Sequence, residues 1–515
     1  MHRTSLKAGM MAAALVAGLA LAAGRAATQP VTTLESVAQP APATPIRHVV
    51  VLFQENVSFD HYFATYPHAE NRHGETPFHA APDTPTVNGL TEALLTHNPN
   101  SAQPQRLGPE QAVTCDMDHE YLSEQMAFDG GLMDRFVEFT KPYESACDPR
   151  GVMDYFDGNT VTALWNYAQH FAMSDNSFGT GFGPSTPGAL NLVATTTYGA
   201  EPADHRTARA VVAVAGTLIS DIDPRGDDCS RRSTEQIAMH GRTIGDLLSA
   251  AHVTWGWFQG GFRPTSRLPD GTAVCDATSR NRAGRTVRDY NPHRAPFQYY
   301  NQTANPHHLP PDSPDMIGRD DQANHQYDLD DFYTALAAGT LPGVAFVKAK
   351  QAQDGHAGTS DPLDEQVHLV SVINAIERSP LWSSTAVIIA YDDSDGWYDH
   401  VMPPILRGSA VAGFDAMNAP GRCGNPAPGT EPARCGYGPR LPLLVISPWA
   451  RVNWVDNQTT DQSSIAHFIE DNWHLPRLGG QAADAMAGSL NGLFDFSHPR
   501  AVPLLLDPQT GTVAQ

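Results

Sequence analysis

The chain has 515 residues, 41% of them hydrophobic, which is enough for one large domain with an extensive core or for two domains. Its formal net charge of -23 at pH 7 argues against a nucleic acid partner held by bulk electrostatics, and it disfavours binding to anionic membrane surfaces. The 42 glycines and 41 prolines predict many loops between the regular elements.

The amino terminus has the pattern of a secretory signal peptide. A basic start is followed by an apolar run at residues 10–24, too short to span a bilayer, and then by small residues suited to cleavage. We therefore predict a signal peptide over residues 1–27, a flexible leader rich in Pro, Ala and Thr over residues 28–45, and a folded domain over residues 46–510. No later segment is apolar enough for stable membrane insertion, so the mature protein is expected to be periplasmic or secreted.

Six cysteines agree with export, because an even number without a CxxC metal pattern is typical of disulfides in an oxidising compartment. Sequential pairing is the simplest arrangement, because each bond then closes a local loop. The predicted pairs are Cys115–Cys147, Cys229–Cys275 and Cys423–Cys435. Free thiols at some of these positions are the alternative.

Short apolar runs alternate with segments of helical period along the chain. The first run, residues 49–53, is continuously apolar, as in a strand buried on both faces. Further strands are predicted at residues 253–258, 344–347, 386–390 and 443–446, and helices at 160–171 with Asn159 as N-cap, 243–251, 328–338, 364–378 and 463–473. This order predicts an α/β fold with a mostly parallel central sheet and helices on both faces. Irregular or helical excursions are expected to form a smaller lobe.

Polar residues follow two of the predicted strands at their carboxyl ends, where open α/β sheets bind ligands. Glu55 and Asn56 follow the first strand, and Asp392 and Asp393 follow the strand at residues 386–390. Adjacent carboxylates repel each other unless a cation neutralises them, and an all-oxygen set suits one divalent or other hard metal ion. Zinc or iron remains open if a histidine joins the set. Taken singly, the stretch with Glu55 and Asn56 could equally be a polar turn, and the stretch with Asp392 and Asp393 a solvated acidic loop.

A loop rich in Gly and Pro at residues 179–188 is predicted to lack regular structure and contains Ser185 and Thr186. Either hydroxyl could sit at a sharp turn, and one possibility is the start of a helix, where free backbone N–H groups favour an anion such as phosphate. A serine beside a metal ion can be activated as a nucleophile. A surface loop without chemistry is the alternative, since serine is common in such turns.

Four of the 22 histidines stand out by their neighbours: His119, His293, His356 and His400. Each lies in a polar stretch with aspartate, asparagine or glycine close by. A histidine near a phosphate can donate hydrogen bonds to it and protonate a leaving oxygen. For any one of them taken alone, a structural role is the better interpretation.

Four stretches together resemble a known family, the bacterial phosphoesterases, which contains non-specific phospholipases C and an acid phosphatase branch within the alkaline phosphatase-like superfamily. The matching stretches are HVVVLFQENVSFDHYF at residues 48–63, DDSDGWYDH at 392–400, RLPLLVISPWAR at 440–451 and DQSSIAHFIE at 461–470. The resemblance covers nearly the whole mature chain and implies an alkaline phosphatase-like fold.

The resemblance also implies a role for each matched position. It implies two metal-binding pairs, a nucleophile that also contacts the metal, and three histidines that line the phosphate site. The metal-binding pairs are Glu55 with Asn56 and Asp392 with Asp393. The nucleophile is Ser185, and the histidines are His119, His356 and His293. Phospholipase C members typically carry threonine in place of this serine, so Ser185 is similar to the acid phosphatase branch. Relatives often have a second histidine where this chain has Arg294, and an arginine where it has Val57.

The resemblance therefore implies an exported, metal-dependent acid phosphatase that hydrolyses phosphate monoesters with broad specificity through a phosphoserine. Its expected partner is a phosphoester substrate. One alternative is a phospholipase C that cleaves phosphodiesters of phosphatidylcholine-type lipids. A second alternative, of another class, is a non-catalytic protein that binds a phosphorylated ligand.

Overall fold

A single eight-stranded sheet organises the chain in the computed structural model. The structure describes residues 40–202, 212–213, 216–230, 236–409, 415–417, 422–423, 434–500 and 502–514. The predicted signal peptide and most of the predicted leader lie outside these residues. The predicted domain over residues 46–510 stays a prediction in its exact limits.

The strands of this sheet are mostly parallel, which confirms the predicted α/β class. In chain order they are β1 (His48–Gln54), β2 (Ala172–Ser174), β3 (Trp255–Gln259), β4 (Gln326–Asp328), β5 (Val344–Lys348), β6 (Thr385–Tyr391), β7 (Leu443–Ile446) and β8 (Trp454–Asp456). The spatial order is β4-β3-β5-β1-β6-β7-β2-β8. Only β7 runs antiparallel to its neighbours β6 and β2. The strands β2, β4 and β8 have three residues each, too few to give a periodic signal in the sequence.

The register between β1 and β6 sets the position of the polar residues that follow them. His48 pairs with Thr385, and the parallel pairing continues to Gln54 and Tyr391. Residues 49–54 of β1 are all buried although successive side chains point to opposite faces, so both faces of the sheet are covered. Because β1 and β6 end in register, the residues that follow them emerge side by side at one edge of the sheet.

Within the described residues, ten α-helices connect or flank the strands, and most predicted helices are confirmed within two residues. They are α1 (Phe59–Phe63), α2 (Glu92–Thr96), α3 (Tyr121–Phe128), α4 (Phe136–Phe139), α5 (Thr162–His170), α6 (Ser185–Ala194), α7 (Ile244–Ala250), α8 (Leu329–Ala338), α9 (Pro362–Arg378) and α10 (Ser463–Asn472). Helix α8, for example, is capped by the Asp328 side chain and ends at Gly339, which has a φ of 71°.

Two local predictions were wrong. Asn159 does not cap α5, because its side chain instead accepts a hydrogen bond from the backbone of Asn71 (2.7 Å) and donates to the carbonyl of Thr76 (2.8 Å). The loop at residues 179–188 is not wholly irregular, because α6 begins at Ser185 within it. Gly188 lies inside this helix, where a Cβ would collide with the carbonyl oxygen of Asp392. The glycine therefore allows α6 to approach the end of β6.

A second buried hydrophobic cluster lies beside the main core and is built from the excursions. It includes Tyr121, Phe128 and Phe136 from the segment after β1 and Trp397 and Tyr398 from the segment after β6. Small two- and three-stranded sheets complete the excursions. Their strands are Arg106–Leu107 with Tyr155–Phe156, Ser177–Phe178 with Thr460–Asp461, Ala200–Pro202 with Asp223–Pro224 and Gln236–Met239, Val212–Ala213 with Thr217–Leu218, Ser266–Arg267 with Ala273–Val274, and Thr278–Arg280 with Thr286–Arg288.

The three predicted disulfides, each closing a local loop, are confirmed as Cys115–Cys147, Cys229–Cys275 and Cys423–Cys435. The first joins the segment before His119 to the segment that follows α4. Among the described helices, none has the length and apolar character needed to cross a membrane.

A buried ionic network centred on Arg440 ties together three of the stretches that resemble the family. The guanidinium donates to Asp60 Oδ1 (2.9 Å) and to Asp399 Oδ2 (3.0 Å). His400 Nδ1 lies 2.6 Å from the other oxygen of Asp60. His400 therefore has a structural partner, Asp60. It belongs to this network and not to the acidic set around Ser185. A paired and hydrogen-bonded buried network of this kind holds its members in one geometry.

Candidate active site

Ser185 is the first residue of α6, and its buried hydroxyl group is crowded by acceptor oxygens. Its Oγ lies 3.1 Å from Asp393 Oδ2, 3.2 Å from Glu55 Oε2 and 3.4 Å from Asn56 Oδ1. A hydroxyl group has one proton and can donate it to only one of these oxygens. The other acceptors are left facing one another in a water-poor site, which requires a positive charge nearby.

Asp392 completes the acidic set. Its Oδ1 accepts hydrogen bonds from the backbone N–H groups of Asn56 (2.9 Å) and Asp393 (2.8 Å). Its Oδ2 is buried and receives no hydrogen bond within the described part of the chain. Burial raises the pKa of Asp392 well above its usual range, and the charges of Glu55 and Asp393 raise it further. A buried carboxylate oxygen that lacks a hydrogen-bond donor is the kind of atom that a metal ion coordinates.

The backbone and amide of Asn56 are fixed by their surroundings. Asn56 has a φ of 59°, a left-handed conformation that asparagine tolerates better than most residues. Its side-chain nitrogen donates to Asp395 Oδ1 (2.8 Å), which turns Oδ1 of the amide towards Ser185. The predicted ligands Glu55, Asn56, Asp392 and Asp393 thus converge with Ser185, and an all-oxygen set of this kind fits a hard divalent cation.

Two buried cations also contact Glu55. Arg294 Nε lies 2.9 Å from Glu55 Oε2, and Lys348 Nζ contacts Oε1. A second nitrogen of Arg294, Nη1, pairs with Asp354. Burial alone would raise the pKa of Glu55, but the charges of Arg294 and Lys348 outweigh it and hold that pKa well below its usual range.

A formal charge count of this buried cluster matches one divalent ion. Four carboxylates belong to it, and the two cations Arg294 and Lys348 offset two of them. The carboxylates are Glu55, Asp354, Asp392 and Asp393. When all four are ionised, two negative charges remain, and unpaired buried charges are strongly unfavourable. The donor set therefore fits a bound divalent metal in both chemistry and charge.

His119 and His356 both lie next to this set, with their ring centroids 6.3 Å apart. His119 Nε2 is 3.4 Å from the side-chain nitrogen of Asn56, and His119 Nδ1 donates to the carbonyl of Met117 (2.6 Å). Burial lowers the pKa of His119, but Asp393 and Asp395 raise it by more, so the net pKa is well above the usual range. Burial and Arg294 lower the pKa of His356 to about 3, so this ring is neutral.

His293 and Thr186 lie together beside Ser185. The Thr186 hydroxyl donates to the backbone carbonyl of His293 (3.3 Å), and the His293 ring is 3.6 Å from Asp221. Thr186 is thus occupied by a backbone group, whereas Ser185 faces the acidic set. Of the two hydroxyl groups that the sequence leaves open, the geometry favours Ser185 as the reactive one.

Glu124 is a buried residue that the sequence analysis did not identify. It lies on α3, its Oε2 accepts from the backbone N–H of Gly183 (2.9 Å), and its Oε1 accepts from the Ser394 hydroxyl (2.7 Å). It therefore joins the loop before Ser185 to the turn after Asp393. Its position in the sequence could have revealed it, because Glu124 lies on the same face of the helix as the buried Tyr121 and Phe128.

The chain is similar to a family of phosphoesterases and to proteins named phospholipase C. The family described as "Phosphoesterase family" matches residues 46–476. The chain is 26% identical over 482 residues to a non-hemolytic phospholipase C of Pseudomonas aeruginosa, covering 90% of this chain and 59% of that protein. It is 26% identical over 519 residues to a non-hemolytic phospholipase C of Burkholderia pseudomallei, covering 93% of this chain and 65% of that protein. The chain thus spans about three fifths of the length of these two relatives.

Among solved structures, one match is a protein of the alkaline phosphatase superfamily from Vibrio parahaemolyticus. The TM-score is 0.35 with 10% sequence identity, covering 87% of this chain and 72% of the other.

Glu124 supplies a test of how the two halves of the site are joined. Glu124→Ala should leave two buried donors without an acceptor, at a cost on the order of 1–3 kcal/mol for each. Urea denaturation would measure the loss in the free energy of unfolding. Glu124→Gln is the matched control, because an amide can still accept from Gly183 and donate to Ser394, so it should lose less than half as much. Equal losses in the two variants would contradict a role for these two hydrogen bonds.

Proposed function

The chain belongs to the Phosphoesterase family, and from this premise we propose that it is an exported, metal-dependent acid phosphatase. In this proposal it hydrolyses phosphate monoesters with broad specificity through a phosphoserine intermediate. The observation that carries the proposal is the crowded hydroxyl of Ser185, which meets three acceptor oxygens within 3.4 Å at the start of a helix.

Five residues would hold the metal ion in this proposal: Glu55, Asn56, Asp392, Asp393 and Ser185. When bound, a divalent ion would lower the pKa of the serine hydroxyl and offset the negative charge of the phosphoryl group. Neighbouring residues hold the site in its geometry through hydrogen bonds. Asp395 orients the Asn56 amide through a 2.8 Å hydrogen bond, and the Glu124 carboxylate fixes the backbone two residues before Ser185.

The proposed reaction has two steps at Ser185. Before the first step, the Ser185 hydroxyl gives its proton to solvent. In the first step, the Ser185 alkoxide oxygen attacks phosphorus, the bond from phosphorus to the ester oxygen breaks, and the leaving oxygen takes a proton from His119. In the second, water attacks the phosphoserine, gives a proton back to His119, and inorganic phosphate leaves as the bond to Oγ breaks. His119 suits this role better than His356 because its Nε2 lies 3.4 Å from the Asn56 amide and its Nδ1 lies 3.5 Å from Asp395, whose charge favours the protonated ring, whereas burial and Arg294 lower the pKa of His356 to about 3.

Preference for monoesters is supported by the buried cations of the site. A monoester carries up to two negative charges on its phosphoryl group and a diester carries one. Arg294 and Lys348 are both buried next to Glu55, which itself contacts Ser185. With a divalent ion bound, the cluster would be formally neutral, so the preference for the more highly charged substrate would come from fixed donors directed at the phosphoryl oxygens and not from a net positive charge.

A phospholipase C acting on phosphodiesters is the second candidate, and the surroundings of Tyr143 favour it. The half-exposed ring of Tyr143 packs edge-on against His119, with centroids 6.0 Å apart. Burial of its hydroxyl raises the pKa of Tyr143, and the charges of Asp118, Glu120 and Asp116 raise it further. An aromatic face among carboxylates suits a cationic group such as a quaternary ammonium. The two relatives from Pseudomonas and Burkholderia also have phospholipase C in their names.

Export is supported by the three disulfides, because such bonds persist in oxidising compartments such as the periplasm or the exterior of the cell. The signal peptide predicted for residues 1–27 lies outside the described residues and remains part of the proposal.

Replacing the hydroxyl of Ser185 tests the covalent step. Ser185→Ala should lower kcat on p-nitrophenyl phosphate on the order of 10³-fold or more, because the nucleophile is removed. Acid quenching during turnover, followed by mass spectrometry, should find phosphate on the tryptic peptide with Ser185 in the wild type. Ser185→Thr keeps a hydroxyl group and should retain part of the activity and the label. Unchanged turnover of Ser185→Ala would exclude this nucleophile.

The choice between monoester and diester is tested by comparing p-nitrophenyl phosphate with p-nitrophenylphosphorylcholine. We expect the wild-type kcat/KM to be higher on the monoester, because the buried cations act on the dianion. The reverse preference would favour the phospholipase C candidate. Absence of turnover on both substrates by metal-replete protein would favour a protein that only binds phosphorylated ligands.

A further inference from the structure

Arg294 is held in the acidic cluster with its side chain only 3% exposed. It ends the short turn Pro292–Arg294, directly after His293. Two carboxylates contact the guanidinium: Asp354 accepts a hydrogen bond from Nη1, and Glu55 forms an ion pair with Nε at 2.9 Å that lacks hydrogen-bond geometry. A guanidinium that is fixed from two sides loses little further freedom when it binds a third group.

The third nitrogen, Nη2, is available for such a group. It donates to none of the residues that the structure describes, whereas Nη1 contacts Asp354. Glu55 Oε2 is shared, because it lies 2.9 Å from Arg294 Nε and 3.2 Å from Ser185 Oγ. The guanidinium and the proposed nucleophile therefore lie next to the same carboxylate oxygen.

The need to neutralise Glu55 does not by itself explain Arg294. Lys348 already contacts the other oxygen of Glu55, and its side chain is equally buried, at 1% exposure. Lys348 is surrounded by the strand ends, where its ammonium lies over the ring of Phe53 and near the carbonyl of Gln54. Arg294 instead reaches the side of Glu55 that faces Ser185.

We propose that Arg294 contacts the phosphoryl group of the substrate through Nη2 and determines the preference for dianionic monoesters over monoanionic diesters. A planar guanidinium matches the geometry of phosphate oxygens and keeps its charge at every physiological pH. The inference rests on the proposed function, because it assumes phosphoryl transfer to Ser185. It adds a catalytic residue to that reaction and assigns its substrate preference to one side chain.

The test measures kcat/KM on p-nitrophenyl phosphate and p-nitrophenylphosphorylcholine, and inhibition by inorganic phosphate. Arg294→Gln should lower kcat/KM on the monoester on the order of 10²-fold or more, since it removes one charged donor from the phosphoryl group. On the diester the loss should be at least tenfold smaller, and inhibition by phosphate should weaken by a similar factor to the monoester loss. Arg294→Lys should restore part of the monoester activity, because it keeps a charge without the planar fork.

Lys348→Gln is the matched control, because it removes the other buried cation that contacts Glu55. It should reduce both activities together and leave the ratio of monoester to diester kcat/KM nearly constant. If Arg294→Gln also leaves this ratio and the phosphate inhibition constant unchanged, Arg294 has only a structural role and the inference is overturned. If Arg294→Gln does not fold, Arg294→Lys decides in its place, because the ratio must fall in that variant too.

The same measurements separate this inference from the proposed function. A wild-type protein that prefers the diester, or hydrolyses neither substrate, contradicts the proposed function whatever Arg294 does. A wild-type protein that prefers the monoester, with an unchanged preference in Arg294→Gln, contradicts only the role of Arg294.

Discussion

The hydroxyl of Ser185 lies among more acceptor oxygens than its single proton can serve, and the surrounding structure depends on this constraint. Glu55, Asn56 and Asp393 each place an oxygen within 3.4 Å of it, and all of them are buried. Such a cluster is unstable unless positive charge offsets it. Arg294 and Lys348 supply part of that charge, and a divalent ion would supply the remainder.

Contacts away from the Ser185 hydroxyl group hold these oxygens in position. The in-register pairing of β1 and β6 brings Glu55 and Asp392 to the same edge of the sheet. Glu124 connects the loop before Ser185 to the turn after Asp393, and the Arg440 network connects the segments that follow the two strands. Loss of one of these supports should therefore affect the relative position of the two halves of the site.

Some of the site could be predicted from the sequence and some could not, for physical reasons. Glu55 and Asp392 follow continuous apolar runs, so a strand followed by polar residues was visible locally. The start of α6 at Ser185 could be named only as one possibility for this loop, because Gly and Pro normally interrupt helices, whereas here Gly188 lets the helix pass close to β6. Glu124 was missed because its partners are 59 and 270 residues away along the chain. The contacts of Arg294 likewise depend on tertiary structure that no local pattern encodes.

The central claim is that the oxygen set around Ser185 holds one divalent metal ion on which turnover depends. The most direct measurement is to strip the purified protein with a chelator, titrate it with divalent ions, and follow bound metal by mass spectrometry together with turnover of p-nitrophenyl phosphate. The account predicts that turnover is lost on stripping and returns in proportion to bound metal up to one ion per chain. Full turnover by protein that retains almost no metal would contradict it.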